Sequence, residues 1–320
     1  MKSGYVAIIG RPNVGKSTLM NALVGERLSI VTPKPQTTRS RVLGIMSGPR
    51  CQAIFWDTPG MLEPKERLQE GMAKQIRDSM EEADVLLGLV DASCPKGSLD
   101  ERMWEVLRRW KHPLIVAINK TDLVKTERVE GIVDWIRVEV SRDKRQTRGQ
   151  EEAVSLSPSL PLSLSGEGTG GEVVAISALL GTGVDVLKGL IEERLPEGPF
   201  FYPPDMVAEQ PERFFVGELV REEIFLNLGQ ELPYATAVKV EEFKERAGEK
   251  DYIRAGIYVE KTSQKGIVIG AKGLMLKRIG QRARAKIEAF LGRPVYLDLW
   301  VKVRAKWRKR ERDLREFGYW

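Results

Sequence analysis

A chain of 320 residues with 42% hydrophobic side chains has room for two domains, each with its own core. Two cysteines, Cys51 and Cys94, exclude a disulfide framework and suit a reducing cytoplasm. The apolar run after Met1-Lys2-Ser3-Gly4 is too short for a signal peptide, and no run approaches a membrane span, so a soluble intracellular protein is expected. The net charge of +6 conceals an asymmetry. Lys261–Trp320 holds 17 Lys and Arg against 5 Asp and Glu, +12, which leaves −6 for the residues before it. The C-terminal part is expected to meet a polyanion.

In chain order, Tyr5–Ile9 reads as a strand and Thr18–Val24 as a helix. Between them Gly10-Arg11-Pro12-Asn13-Val14-Gly15-Lys16-Ser17 has the strand, glycine turn and helix context of a phosphate-binding loop. The glycines let successive N–H groups turn toward phosphate oxygens, and the helix N-terminus adds its dipole. Lys16 is expected at the terminal phosphates and the Ser17 hydroxyl on Mg²⁺, with Thr18 opening the helix beside them. Downstream, Lys34-Pro35-Gln36-Thr37-Thr38-Arg39-Ser40-Arg41 reads as a loop whose threonine ligates Mg²⁺ only when a γ-phosphate is present. Thr38 is favoured over Thr37, although spacing does not settle the choice.

Further strands are expected at Arg41–Met46, Cys51–Asp57, Val85–Asp91, Leu114–Asn119 and Val173–Ser177. Helix-length stretches separate most of them: Leu68–Glu82, Leu99–Trp110, Glu127–Val140 and Val184–Arg194. This alternation predicts an α/β domain, its largely parallel sheet covered on both faces, with ligands at the carboxyl ends of the strands. Asp57-Thr58-Pro59-Gly60 ends one strand, bringing Asp57 to Mg²⁺ through water and the Gly60 N–H to a γ-phosphate. Asn119-Lys120-Thr121-Asp122 ends another. The Asp122 carboxylate suits the N1–H and N2–H₂ donors of guanine, where adenine would leave it unpaired. The Lys120 stem suits the face of the base, and Ser177-Ala178 offers a backbone N–H to the guanine oxygen. His112 is read as a surface residue.

From Ser141 to Glu172 the periodicity collapses into a basic and then Ser/Leu/Pro/Gly-rich run, read as a disordered insert. Five prolines between Leu195 and Pro211 mark a stiff linker. Beyond it, Glu212–Leu228 and Leu274–Leu291 read as helices, and Ala235–Phe243, Ile253–Lys261 and Val295–Val303 as strands, with Ile267–Ile269 left open. Gly270-Ala271-Lys272-Gly273 ahead of the second helix lets a nucleic-acid backbone approach closely. Lys277, Arg278, Arg282, Arg284 and Lys286 follow on that helix. The tail around Lys306-Trp307-Arg308-Lys309-Arg310 suits RNA contact, or packing of its own helix by Trp307, Leu314 and Phe317.

On the Gly-Arg-Pro-Asn-Val-Gly-Lys-Ser loop, Gln-Thr-Thr-Arg switch, Asp-Thr-Pro-Gly and Gly-Ala-Lys-Gly segments, the chain resembles the Era family. The resemblance implies a P-loop GTPase domain over 1–195 and a linker over 196–211. A smaller type II KH RNA-binding domain would follow over 212–303, then a tail over 304–320. It implies GTP and GDP as ligands, Mg²⁺ as cofactor, and small-subunit ribosomal RNA and the assembling small subunit as partners. Lys16, Thr38, Gly60 and Asn13 would act in hydrolysis, and Gly270, Ala271, Lys272, Gly273, Lys277, Arg278 and Arg282 on RNA. Met61 stands where many GTPases carry a water-orienting glutamine and cannot do that work. Related GTPases recruit K⁺ through the asparagine matching Asn13, which could instead cap the loop. A monomer is favoured. The alternatives are a regulatory GTPase drawn to the inner membrane surface by its basic tail, an RNA-binding protein with a structural nucleotide, and a metabolic phosphoryl-transfer enzyme.

Overall fold

The computed structural model of the chain describes residues 1–147, 171–246 and 248–320. These form two units: Met1–Leu28 with Arg41–Leu62 and Gln75–Ala208, and Ser29–Ser40 with Glu63–Lys74 and Glu209–Trp320. Helix α2 (Arg67–Glu81) begins in the second unit and ends in the first.

The first unit is built on six strands, β1 (Lys2–Ile9), β2 (Val42–Ser47), β3 (Cys51–Asp57), β4 (Val85–Asp91), β5 (Leu114–Asn119) and β6 (Glu172–Ala175). Their order is β2-β3-β1-β4-β5-β6; β2 pairs antiparallel to β3 and the rest are parallel. Helices α1 (Lys16–Val24), α3 (a single turn, Pro95–Ser98), α4 (Glu101–Arg109), α5 (Thr126–Thr147) and α6 (Val184–Arg194) complete it. Val6, Ala7, Ile8 and Ile9 are all fully buried, as expected of a central strand covered on both faces. Ala7 and Ile9 join a core with Met103, Leu107, Ile132 and Ile136 of α4 and α5, while Val6 and Ile8 alternate to the opposite face.

Two segments differ from the sequence reading. Helix α5 runs on to Thr147, past the point where its apolar period ends; Arg, Lys and Gln have good intrinsic helix propensity. The rest of the expected insert, 148–170, lies outside the described residues. The proline-rich segment after α6 is irregular but held to the first unit. Phe201 and Tyr202 N–H both donate to Gln52 Oε1 (2.8 and 3.0 Å), and Ile45 N–H donates to the Val207 carbonyl (2.8 Å). Tyr202 and Met206 pack on Leu43, Ile45, Ile54 and Trp56.

The second unit sets α7 (Glu212–Asn227) and α9 (Leu274–Leu291) against a three-stranded sheet of β7 (Ala237–Lys244), β8 (Asp251–Val259) and β9 (Val295–Val303). Strand β7 is antiparallel to β8, and β8 parallel to β9. The stretch left open in the sequence is helical, as the end of α8 (Thr262–Ile269). The chain closes with α10 (Glu311–Glu316). Among the described residues no helix is long and apolar enough to cross a membrane.

Candidate functional site

The loops that follow β1, β3, β5 and β6 are stitched together by hydrogen bonds. Thr58 Oγ1 donates to the Ile8 carbonyl (2.7 Å) and Met61 N–H to that of Gly10 (3.0 Å). Asn119 Nδ2 donates to the Val14 carbonyl (2.8 Å), and its Oδ1 accepts from Ala178 N–H (2.9 Å). One amide at the end of β5 thus ties the glycine loop to the Ser177-Ala178 turn. A side chain at Gly15 (φ +100°) would run into that amide, and one at Gly60 would lie 2.8 Å from Pro12 backbone atoms. Both glycines are demanded by close approach.

Lys16 is buried and curls back over its loop, donating to the Gly10 and Arg11 carbonyls (3.1 Å each). Burial lowers its pKa to about 8, with the Asp57 charge opposing. Its ammonium is therefore under-stabilised until further negative charge arrives, which suits a phosphate-binding lysine. Asp57 is fully buried at the end of β3. With the Ser17 hydroxyl it offers an all-oxygen donor set. Among the described residues no group of three or more His, Cys, Asp and Glu is placed to hold a metal. An oxygen-only pair of a hydroxyl and a carboxylate fits Mg²⁺, which takes one or two protein oxygens and fills its shell with phosphate and water. When bound there, the ion would neutralise phosphate charge between Ser17 and Asp57.

At the opposite end, Ser177 Oγ donates to Asp122 Oδ1 (2.6 Å), fixing a carboxylate at an exposed position. The Ala178 N–H is engaged by Asn119, so the backbone donor expected for a guanine oxygen is already shared. Lys120 reaches Asp91 Oδ2 (2.6 Å). The sequence reading missed Asp91, although a carboxylate ending the strand next to Asn119 was a visible signal. Met61 packs its side chain against the core, and exposed His112 stacks edge-on with Trp110 (5.3 Å), apart from the motifs.

The Ser29–Ser40 segment belongs with the second unit. Arg39, 2% exposed, donates to the carbonyls of Thr236 (2.7 Å), Pro233 (3.0 Å) and Tyr234 (3.0 Å). Its guanidinium lies 5.6–5.8 Å from the ring centroids of Phe225, Trp307 and Tyr319. Lys34 donates to the Phe225 and Leu228 carbonyls. Thr37 Oγ1 is bound to the Lys34 carbonyl (2.8 Å) and Thr32 Oγ1 (2.7 Å), while Thr38 is half-buried.

Between α8 and α9, Gly270 (φ +72°), Lys272 (φ +50°) and Gly273 (φ +78°) are left-handed. A Cβ at Gly270 would meet that of Met275 at 2.6 Å, whereas one at Gly273 meets nothing within 4 Å. Lys272, Lys277 and Arg278 are exposed and make no ion pair among the described residues. Arg282 donates to Asn227 Oδ1 (3.3 Å). Lys286 is engaged between Glu222 (2.6 Å) and Glu223 (2.5 Å) and so leaves the free basic face. Exposed Ile267 and Leu274 flank the loop, an apolar signal not read from the sequence. In the tail, Trp307 is fully buried and donates to the Ala235 carbonyl (3.0 Å), and Leu314 is buried as well; both pack the unit.

Residues 5–120 match the family model described as a 50S ribosome-binding GTPase, and residues 231–308 that of a KH domain. The chain is 43% identical over 318 residues to GTPase Era of Halothermothrix orenii, covering 99% of this chain and 98% of that one. The chain belongs to the Era family. The chloroplastic GTPase ERA1 of Zea mays is 41% identical over 321 residues, covering 99% of this chain and 70% of its own. Aquifex aeolicus Era, solved as a point variant bound to GDP·AlF4−, matches with a TM-score of 0.86 at 40% identity, covering 100% and 99%. An Era complex with MgGDPNP and nucleotides 1506–1542 of 16S ribosomal RNA matches with the same score, identity and coverage. The Era resemblance read from the motifs therefore extends over the whole chain, with a P-loop GTPase fold followed by a KH fold.

Proposed function

We propose that this chain is a GTP-hydrolysing switch that binds the 3′ end of small-subunit ribosomal RNA and acts in small-subunit assembly. The observation that carries the nucleotide half is Asn119, which joins the Val14 loop to the Ser177-Ala178 turn beside Asp122. On this reading Gly10–Thr18 hold the phosphates and Asp57, Thr58, Pro59 and Gly60 flank the γ-phosphate. Asn119, Lys120, Asp122, Ser177 and Ala178 hold guanine. Ser17 and Thr38 ligate Mg²⁺, with Asp57 acting through water. Thr38 is kept as the preferred ligand over Thr37, whose hydroxyl bonds Thr32 and the Lys34 carbonyl. Era bound to MgGDPNP supports Mg²⁺.

The RNA half rests on the positive-φ Gly270-to-Gly273 turn and on the cations of Lys272 within it and Lys277 and Arg278 beyond it, which make no ion pair among the described residues. The Era complex with 16S ribosomal RNA supports the same partner here. The Ser29–Ser40 segment, which would order around GTP, packs within the unit that we propose binds RNA, and this supports coupling of the two ligands. Ribosomal RNA is favoured over anionic lipid because Trp307 and Leu314 of the tail are buried and provide no apolar anchor. On this reading the GTPase domain spans 1–195, the linker 196–211, the KH domain 212–303 and the tail 304–320, although residues 29–40 and 63–74 group with the second unit and residues up to Ala208 with the first.

With Met61 in place of a water-orienting group, we assign K⁺ at Asn13 the task of supplying positive charge in the transition state. Single-turnover GTP hydrolysis should be faster in K⁺ than in Na⁺, and Asn13→Ala should erase the ratio. Absence of any turnover would refute the GTPase reading; equal rates in the two salts would remove only the potassium.

A further inference from the structure

Asp91 has no part in phosphate or base-edge chemistry, yet it is fixed as tightly as a site residue. It ends β4, and the parallel register places it beside Asn119 at the end of β5, one residue before Lys120. Its side chain is 13% exposed. Oδ1 accepts from the Ser93 N–H (2.9 Å) and the Ser93 hydroxyl (2.6 Å), a local turn that sets the plane of the carboxylate. Oδ2 is thereby aimed at Lys120 Nζ, 2.6 Å away. Burial alone would raise the Asp91 pKa; hydrogen bonds from Lys120 and Ser93 outweigh it and hold the carboxyl below its ordinary range.

Lys120 is fixed at its other end too. Its backbone is left-handed (φ +63°), a conformation that a residue with a side chain adopts only when its surroundings impose it. Asn119 on one side is bonded to Val14 and Ala178, and Thr121 on the other donates its N–H and hydroxyl to the Ile176 carbonyl (3.2 and 2.9 Å). With Cα and Nζ both held, the four-carbon stem between them is a short apolar rail, and the side chain is 30% exposed. A lysine free to rotate would lose rotamer freedom on being laid against a ring. Lys120 has already been ordered by the fold.

We propose that Asp91 is a positioning residue: it holds Lys120 by the ammonium so that the stem is presented, before any nucleotide arrives, as a wall for one face of the purine. This rests on the reading of Lys120 and Asp122 as the base site. The stem touches a ring face, whereas Asp122 reads a ring edge, so the two residues should separate cleanly in their effects. Asp91 should set how tightly a purine nucleotide binds and be blind to which purine it is. Asp122 should set the preference for guanine, whose exocyclic amine hypoxanthine lacks.

The test is calorimetry with Mg·GDP and Mg·IDP on the full chain. Asp91→Asn keeps an acceptor for the Ser93 turn and removes the charge facing Lys120. It should weaken both nucleotides by the same factor, about tenfold, the loss expected of one hydrogen bond between charged groups. The GDP-to-IDP ratio should stay as in the wild type, while Asp122→Asn should collapse it. Lys120→Met should weaken binding as well, and Asp91→Asn added to Lys120→Met should weaken it no further. That last comparison also separates positioning from damage to the fold, because a misfolded loop would lose affinity in either background. Unchanged affinity in Asp91→Asn, or a further full loss in the double variant, would reduce Asp91 to a turn former. Tighter binding would show that the ion pair competes with the nucleotide. Either result overturns the proposal and leaves the base site standing; failure of the wild type to bind GDP would overturn both.

Discussion

Burial lowers the Lys16 pKa from 10.5 to about 8, and the Asp57 carboxylate only partly offsets it. Below about pH 8 the folded and unfolded chains both carry the ammonium, and the folded one bears the desolvation cost. Between pH 8 and 10.5 the unfolded chain holds a proton that the folded chain has released, so stability of the nucleotide-free protein should rise across that window. Phosphate oxygens beside Nζ favour the ammonium, so nucleotide binding near pH 8 should take up a proton. The slope of calorimetric GDP-binding enthalpy against buffer ionisation enthalpy measures this uptake. It should be about half a proton at pH 8, near zero at about pH 6.5, and zero at both in Lys16→Met. A flat response at pH 8 would mean that the loop does not desolvate Lys16. At this scale the motifs named Lys16, Asp57 and Asp122 as site candidates, and the fold places them at the carboxyl ends of the strands or in the segments that follow. The sequence did not disclose Asp91 or the Thr37 bonds, whose partners are set by strand register and loop closure.

Elements with a strong apolar period were readable: α9 and β9 start and end where the sequence places them. Helix α8 was not, because Gly266 and the β-branched Ile267-Val268-Ile269 run weaken its helical signal. The Lys34–Arg41 stretch reads in the sequence as a loop whose threonine answers to the γ-phosphate, and that reading passes over what Arg39 does. A buried guanidinium with three carbonyl acceptors and an aromatic surround acts as an internal strut. Arg39→Met should leave those carbonyls without a donor and lower the stability of the second unit by about 2–4 kcal/mol. Arg39→Lys should recover little, since an ammonium lacks the planar fork that spans three acceptors. Urea unfolding followed by tryptophan fluorescence checks this, as buried Trp307 sits beside the strut; an unmoved midpoint in Arg39→Met would contradict it. The two loop glycines differ in what they report. Gly270→Asp would collide with Met275 and disturb the fold, whereas Gly273→Asp enters open space and adds charge to the turn that we propose meets an RNA backbone.

Across the whole molecule, the charge asymmetry of the sequence counts cations without saying which of them the fold has already paired. Of the C-terminal cations, Arg284, Lys286, Arg293, Lys302, Arg304, Arg308 and Arg315 are held in ion pairs; at the glycine turn itself Lys272, Lys277 and Arg278 are exposed and make none among the described residues. RNA affinity should accordingly fall steeply with salt, with a slope set by these few cations. Base preference must come from elsewhere in the KH groove, since phosphate contacts carry no sequence. If the Ser29–Ser40 loop answers to both ligands, linkage requires that a non-hydrolysable GTP analogue and RNA strengthen each other by one common factor, about fivefold or more. The most direct measurement is titration of a labelled strand from the 3′ end of small-subunit ribosomal RNA into the wild type and Gly273→Asp, each loaded with GDP or the analogue. The wild type should bind this strand better than a scrambled one and tighter in the analogue form, and Gly273→Asp should bind it weakly in both. Equal affinity of Gly273→Asp and the wild type would contradict the account.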